Sequence, residues 1–183
     1  MRKVILVTGG ARSGKSRYAR ELAEGMGKRG AFLATCPRLD RELERRIARH
    51  RGERDPRFWT TFEQEVRLER TLASCRQFPV VLVDCLALWV YNVMKAARSR
   101  RRAPDESGIA ALCRKLLSAC RGQTGALIFV TNEVGMGIVP GDASTRLYRD
   151  LLGRANQVIA GAADDVYLLV CGQALPVKKG GTR

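Results

Sequence analysis

Short apolar runs without polar alternation recur along the chain, at Val4–Val7, Ala31–Ala34, Val80–Val83, Ala126–Val130 and Val166–Val170. Strands covered on both faces read this way, because neither face meets water. Between them lie stretches with helical spacing, at about 15–27, 41–54, 64–76, 86–97, 106–120 and 143–162. Strands alternating with helices predict an α/β fold, a mostly parallel sheet flanked by helices with right-handed crossovers. No repeat or Gly/Ser-rich linker divides the sequence, so residues 1–183 are expected to form one domain. Residues 98–105 read as a flexible loop and 178–183 as a frayed tail.

A phosphate-binding loop follows the first run. Gly9-Gly10-Ala11-Arg12-Ser13-Gly14-Lys15-Ser16 matches G-x-x-x-x-G-K-[ST] and sits between a predicted strand and a predicted helix, as its mechanism requires. Glycines let backbone N–H groups turn inward around phosphate oxygens, and the helix N-terminus adds partial positive charge. Lys15 is expected to reach the β- and γ-phosphates and Ser16 to hold Mg²⁺. Asp84 ends the run Val80–Val83, where such folds place a metal-holding carboxylate; it is also a candidate cap for the helix near Leu86.

Composition narrows the class. With 183 residues, 45% hydrophobic and 28% charged, the chain suits a globular fold, and no stretch approaches the apolar length of a membrane span. The N-terminus lacks the pattern of a signal peptide, so a cytoplasmic location is expected. The six cysteines form no Cys-x-x-Cys pair and are expected to be free, mostly buried thiols. A net charge of +15 suits nucleic acid or a polyanionic small molecule. The basic stretches 38–57 and 98–102 carry no interleaved aromatic stacking surface, and aromatics are 6% of the chain, which argues against nucleic acid.

His50 is the single histidine, on a predicted helix with Leu43, Ile47 and His50 on one face and Arg46, Arg49, Arg51 and Arg54 around it. Two readings stand: a satisfied histidine at the core edge, or a nucleophile or acid–base group near phosphates, its pKa lowered by arginines. The residues alone do not choose.

Taken together, these segments resemble the bifunctional adenosylcobinamide kinase / adenosylcobinamide-phosphate guanylyltransferase family of cobalamin biosynthesis. The likeness runs from Ile5 to about Val170. It rests on Val7–Ser16, Ala34-Thr35-Cys36-Pro37, Arg46-Ile47 with His50-Arg51, Trp59-Thr60-Thr61 with Glu63, Val83-Asp84-Cys85-Leu86 with Leu88-Trp89 and Asn92, and Asn132-Glu133-Val134-Gly135-Met136-Gly137-Ile138-Val139-Pro140. The resemblance implies a RecA-like P-loop sheet, a homotrimer, and two reactions. ATP or GTP phosphorylates adenosylcobinamide; then GTP guanylylates a histidine, and GMP passes to the cobinamide phosphate, giving adenosylcobinamide-GDP. It implies that His50 is that histidine. It implies nucleotide contacts at Gly9, Gly10, Ala11, Arg12, Ser13, Gly14, Lys15 and Ser16, at Ala34, Thr35 and Cys36, at Arg51, Gly52, Glu53 and Arg54, and at Glu63 and Asp84, with Mg²⁺ on Ser16 and Asp84. The sequence departs from the family pattern at Ala87, where Thr or Ser is common, at Leu43, and over Cys171–Pro176. Competing expectations are a small-metabolite P-loop kinase with a structural His50, and a nucleic-acid-binding P-loop ATPase.

Overall fold

The computed structural model describes residues 3–37, 45, 48, 51–101 and 104–180. In chain order these form β1 (Lys3–Gly9), α1 (Lys15–Glu24), β2 (Gly30–Ala34), β3 (Trp59–Glu63), α2 (Leu68–Ser74), β4 (Val80–Asp84), α3 (Leu86–Ser99), α4 (Glu106–Ala119), β5 (Ala126–Val130), α5 (Ala143–Ala162), β6 (Asp165–Val170) and β7 (Gln173–Lys178). The strands make one sheet in the order β3-β2-β4-β5-β1-β6-β7. Every neighbouring pair is parallel except β6 with β7, so the mostly parallel α/β expectation holds.

The centre of the sheet is where the apolar runs fall. Ile5, Val7, Leu82, Val83, Leu127, Ile128, Phe129 and Val130 are fully buried, because helices cover both faces of a parallel sheet. α4 and α5 begin on side-chain caps. Asp105 accepts the Gly108 N–H at 2.7 Å and Asp142 accepts the Thr145 N–H at 2.8 Å, each satisfying a donor the helix cannot. Among the described residues, no helix is long and apolar enough to cross a membrane. All six cysteines are free, and Cys75, Cys85, Cys113 and Cys120 are buried, as expected.

Two strands were not foreseen. β3 is an edge strand whose burial is mixed, so it lacks a clean apolar run; Trp59 anchors it by donating Nε1–H to Glu24 Oε1 at 2.8 Å. β7 is exposed along most of its length and exists because β6 offers it an edge. The reversal between them needs positive φ at two successive residues, Cys171 (φ 51) and Gly172 (φ 79), the requirement of a tight hairpin turn. The helix expected over 64–76 runs only over Leu68–Ser74, because Gln64 Oε1 accepts the N–H groups of Val66 and Arg67 and holds that segment in a turn. α3 continues through Arg98 and Ser99, so the first residues of the expected loop are helical; Arg100 and Arg101 turn out of it, and Arg102 lies outside the described residues. Most of the helix expected over 41–54 also lies outside them, although Arg51 and Gly52 are helical.

Candidate active site

Register across the sheet brings the sequence-derived residues to one edge. Glu63 pairs with Ala34, Ala34 with Asp84, Asp84 with Val130, and Val130 with Val7. The carboxyl ends of β3, β2, β4, β5 and β1 thus stand in one row, the crevice where open α/β sheets bind ligands. Just beyond that row lies the phosphate-binding loop.

The loop's shape is set by close approaches. A Cβ on Gly9 would lie 2.6 Å from the Leu169 carbonyl oxygen and 2.7 Å from Ser13 Oγ, so only glycine leaves room. Gly14 caps α1 at φ 90, in the left-handed region that favours glycine. The loop is also strapped from outside, as the Gly172 N–H donates to the Ser13 carbonyl at 3.0 Å. Lys15 Nζ donates to the Gly10 carbonyl at 3.0 Å, folding the ammonium over the loop. Thr8 Oγ1, Ser13 Oγ and Asn132 Oδ1 are buried polar atoms with no hydrogen-bond partner among the described residues, and all lie in or beside this loop. Buried polar groups are normally satisfied, so this clustering suits a polar ligand. Ser16 is half-buried in the first turn of α1, and hydroxyl and carboxylate oxygens such as those of Ser16 and Asp84 are the hard donors Mg²⁺ takes.

Asp84 is half-buried at the end of β4, followed by a cis peptide to Cys85. Thr35, fully buried, fixes that junction. Its hydroxyl donates to the Cys85 carbonyl at 2.7 Å and accepts the Cys85 N–H at 2.8 Å. Asn92 Nδ2, from α3, donates to the Thr35 carbonyl at 2.9 Å and to the Glu65 carbonyl at 3.1 Å. Thr35 therefore acts on the site by holding Cys85, and its side chain faces away from solvent. Burial first, then the Asp84 charge, pushes the Cys85 thiol up to about 12, with Lys15 pulling the other way; this places the ammonium within electrostatic reach of the Asp84–Cys85 junction.

Arg54 is 9% exposed, with its guanidinium 4.0 Å over the Phe32 ring and its Nε without a hydrogen-bond partner among the described residues. Burial lowers its pKa, Asp84 and Glu63 oppose that, and Arg51 and Arg20 add to it. Arg54 thus lies within electrostatic reach of both carboxylates. Glu53 pairs with Arg20 Nη1 of α1 at 3.1 Å, tying the segment after His50 to the loop's own helix. Beside the loop, Arg12, Arg17, Arg20, Glu53, Cys171 and Gly172 line an open cavity of about 460 Å³. Arg51 and Gly52 are exposed, Ala34 and Cys36 half-buried. His50 lies outside the described residues, as do Arg46 and Arg49.

Sequence reasoning gave no role to the segment after β5. The Thr131 N–H donates to the Val7 carbonyl at 2.9 Å and the Glu133 N–H to the Gly9 carbonyl at 3.0 Å, which extends the β5–β1 pairing to the loop. Asn156 of α5 accepts from Thr131 Oγ1 at 2.7 Å and donates to the Asn132 carbonyl at 3.0 Å. Beyond Glu133 the chain is open to solvent, with Met136 82% and Ile138 97% exposed. The Asn132–Pro140 motif was the available signal; its place beside Gly9 was not readable from it.

Comparison with known proteins converges on one family. A family model described as cobinamide kinase / cobinamide phosphate guanyltransferase matches residues 5–177. The bifunctional adenosylcobalamin biosynthesis protein CobU of Escherichia coli (strain K12) is 39% identical, over 96% of this chain and 99% of that protein. The bifunctional adenosylcobalamin biosynthesis protein CobP of Pseudomonas aeruginosa is 38% identical, over 94% of this chain and 96% of that protein. Among solved structures, a type III secretion system ATPase superposes with a TM-score of 0.61 at 11% identity, covering 92% of this chain and 51% of that one. At that identity the likeness is one of fold, and it is to an ATPase.

Proposed function

The chain belongs to the cobinamide kinase / cobinamide phosphate guanyltransferase family, and from that premise we propose that it carries out both reactions on adenosylcobinamide. In the first, the acceptor hydroxyl oxygen attacks the γ-phosphorus of ATP or GTP, the bond to the β-phosphate oxygen breaks, and nucleoside diphosphate leaves. In the second, an imidazole nitrogen of His50 attacks the α-phosphorus of GTP and pyrophosphate leaves. An oxygen of the cobinamide phosphate then displaces the histidine, giving adenosylcobinamide-GDP. A covalent carrier splits one difficult displacement into two easier ones.

The observation that carries this reading is the row Glu63–Ala34–Asp84 beside the phosphate loop, in a chain matched by the family model over residues 5–177. In this reading Gly9 to Ser16 cradle the triphosphate and Lys15 swings from the Gly10 carbonyl to the phosphates. Arg51 and Arg54 balance phosphate charge, Ala34 to Cys36 and Glu63 bound the nucleoside, and Gly52 and Glu53 shape the turn after His50. Ser16 and Asp84 would hold Mg²⁺, which would offset charge on the phosphates. The reading includes a single domain over residues 1–183, a homotrimer and a cytoplasmic location.

Incubation with α-labelled GTP tests it. The expected product is protein-bound GMP on His50, labile in acid and stable in base, as a phosphoramidate is. His50→Ala should lose the label and guanylyl transfer yet retain cobinamide phosphorylation. Lys15→Ala should lose both activities while melting as the wild type does. GMP on another residue, or label undiminished in His50→Ala, overturns the covalent step.

A further inference from the structure

The two transfers to cobinamide differ in what the nucleophile must shed. The phosphate acceptor of the guanylyl transfer is already an anion. The hydroxyl acceptor of the kinase step carries a proton that must leave as its oxygen bonds to phosphorus, so that step alone calls for a positioned base.

We propose that Glu133 is that base: its carboxylate takes the acceptor's hydroxyl proton as the γ-phosphoryl group transfers. This rests on the kinase reading above. Its first support is position. β5 lies between β4, which ends in Asp84, and β1, which leads into the phosphate loop. Glu133 stands just past the end of β5, and its N–H is bonded to the Gly9 carbonyl at 3.0 Å, so its backbone is fixed to the first residue of the loop.

The second support is rigidity. Asn156 clamps the two preceding residues, through Thr131 Oγ1 and the Asn132 carbonyl, and Asn132 Oδ1 stays buried without a partner among the described residues, next to Glu133. The third is availability. One carboxylate oxygen, Oε1, accepts the Gly135 N–H at 2.6 Å, and no ion pair engages Glu133 among the described residues. It is half-buried, at the root of a loop whose Met136, Ile138 and Val139 are exposed. In the step, the hydroxyl oxygen forms the bond to the γ-phosphorus, the bond to the departing diphosphate breaks, and the proton moves to Glu133, which later returns it to solvent.

Glu133→Gln separates chemistry from architecture. Glutamine still accepts the Gly135 N–H through its amide oxygen but cannot take a proton, whereas Glu133→Ala loses both. We expect both variants to lower kcat for cobinamide phosphorylation by about 100-fold or more, the usual scale of general-base loss. The KM for nucleotide should hold, and both should keep GMP labelling from GTP and guanylyl transfer to supplied cobinamide phosphate. A Gln variant near wild type with an impaired Ala variant would show that Glu133 only holds the turn, and overturn the proposal. Loss of GMP labelling in the Gln variant would also overturn it, because the damage would then extend beyond the acceptor step. A wild-type protein that takes GMP label yet phosphorylates no cobinamide would instead refute the kinase reading beneath it.

Discussion

Thr35→Val replaces a hydroxyl by a methyl of nearly the same shape at a fully buried position. The Cys85 N–H, bonded to Thr35 Oγ1 at 2.8 Å, is left without that acceptor. Orphaning a buried donor costs about 1–3 kcal/mol. The Cys85 carbonyl loses the Thr35 hydroxyl at 2.7 Å but keeps the Trp89 N–H at 3.2 Å. That second loss is then a net hydrogen bond, about 1 kcal/mol. The added methyl returns about 0.8 kcal/mol of burial. The balance is a destabilisation of about 2 kcal/mol, which for a chain of this size lowers Tm by roughly 4–8 °C. Thr35→Ser keeps both hydrogen bonds and forfeits one methyl, about 1 kcal/mol. Urea titration of the three proteins, with Mg²⁺-nucleotide affinity measured alongside, checks this. The expected stability order is Thr, Ser, Val, with nucleotide affinity falling in Val, where the residue next to Asp84 has lost its anchor. Hydrophobicity alone predicts Val above Ser. That order, or a Val variant as stable as the wild type, would refute the reasoning.

Asp84→Asn keeps shape and removes charge, so it should weaken Mg²⁺-dependent nucleotide binding more than binding measured with EDTA; equal losses in both conditions would assign Asp84 a structural role only. Asp165, 3% exposed, is a carboxylate whose burial favours the neutral form, but the Gly180 N–H at 2.9 Å and Lys3 Nζ at 2.8 Å outweigh that and hold its pKa below the ordinary value. Its folded pKa lies below its unfolded one, so its contribution is fully present above about pH 4 and is lost as pH falls through the folded value. Urea midpoints of the wild type should therefore drop on acidification below about pH 4, and Asp165→Asn, less stable at neutral pH, should drop less; parallel pH curves would show that the carboxylate carries no such linkage.

Much of this protein was legible in one dimension. The apolar runs at Val4–Val7, Val80–Val83 and Ala126–Val130 identified the central strands because a strand buried on both faces cannot alternate, and that constraint is written in composition. The phosphate loop was legible because its chemistry needs glycines and a lysine at fixed spacing. Edge strands escaped for the complementary reason. β3 and β7 are only partly covered, so no run of apolar residues marks them, and β7 depends on the edge that β6 presents. Lateral order was likewise absent from the sequence. Glu63, Asp84 and Glu133 are far apart along the chain, and their convergence at one sheet edge follows from strand register and from the crossovers that place β4, β5 and β1 side by side. Thr35 shows the same division. Its motif marked it as belonging to the site, but whether its hydroxyl met a ligand or a backbone amide depended on α3 and β4 packing against the end of β2. Local sequence sets what each segment can become; the shared burial of distant segments sets what each side chain faces.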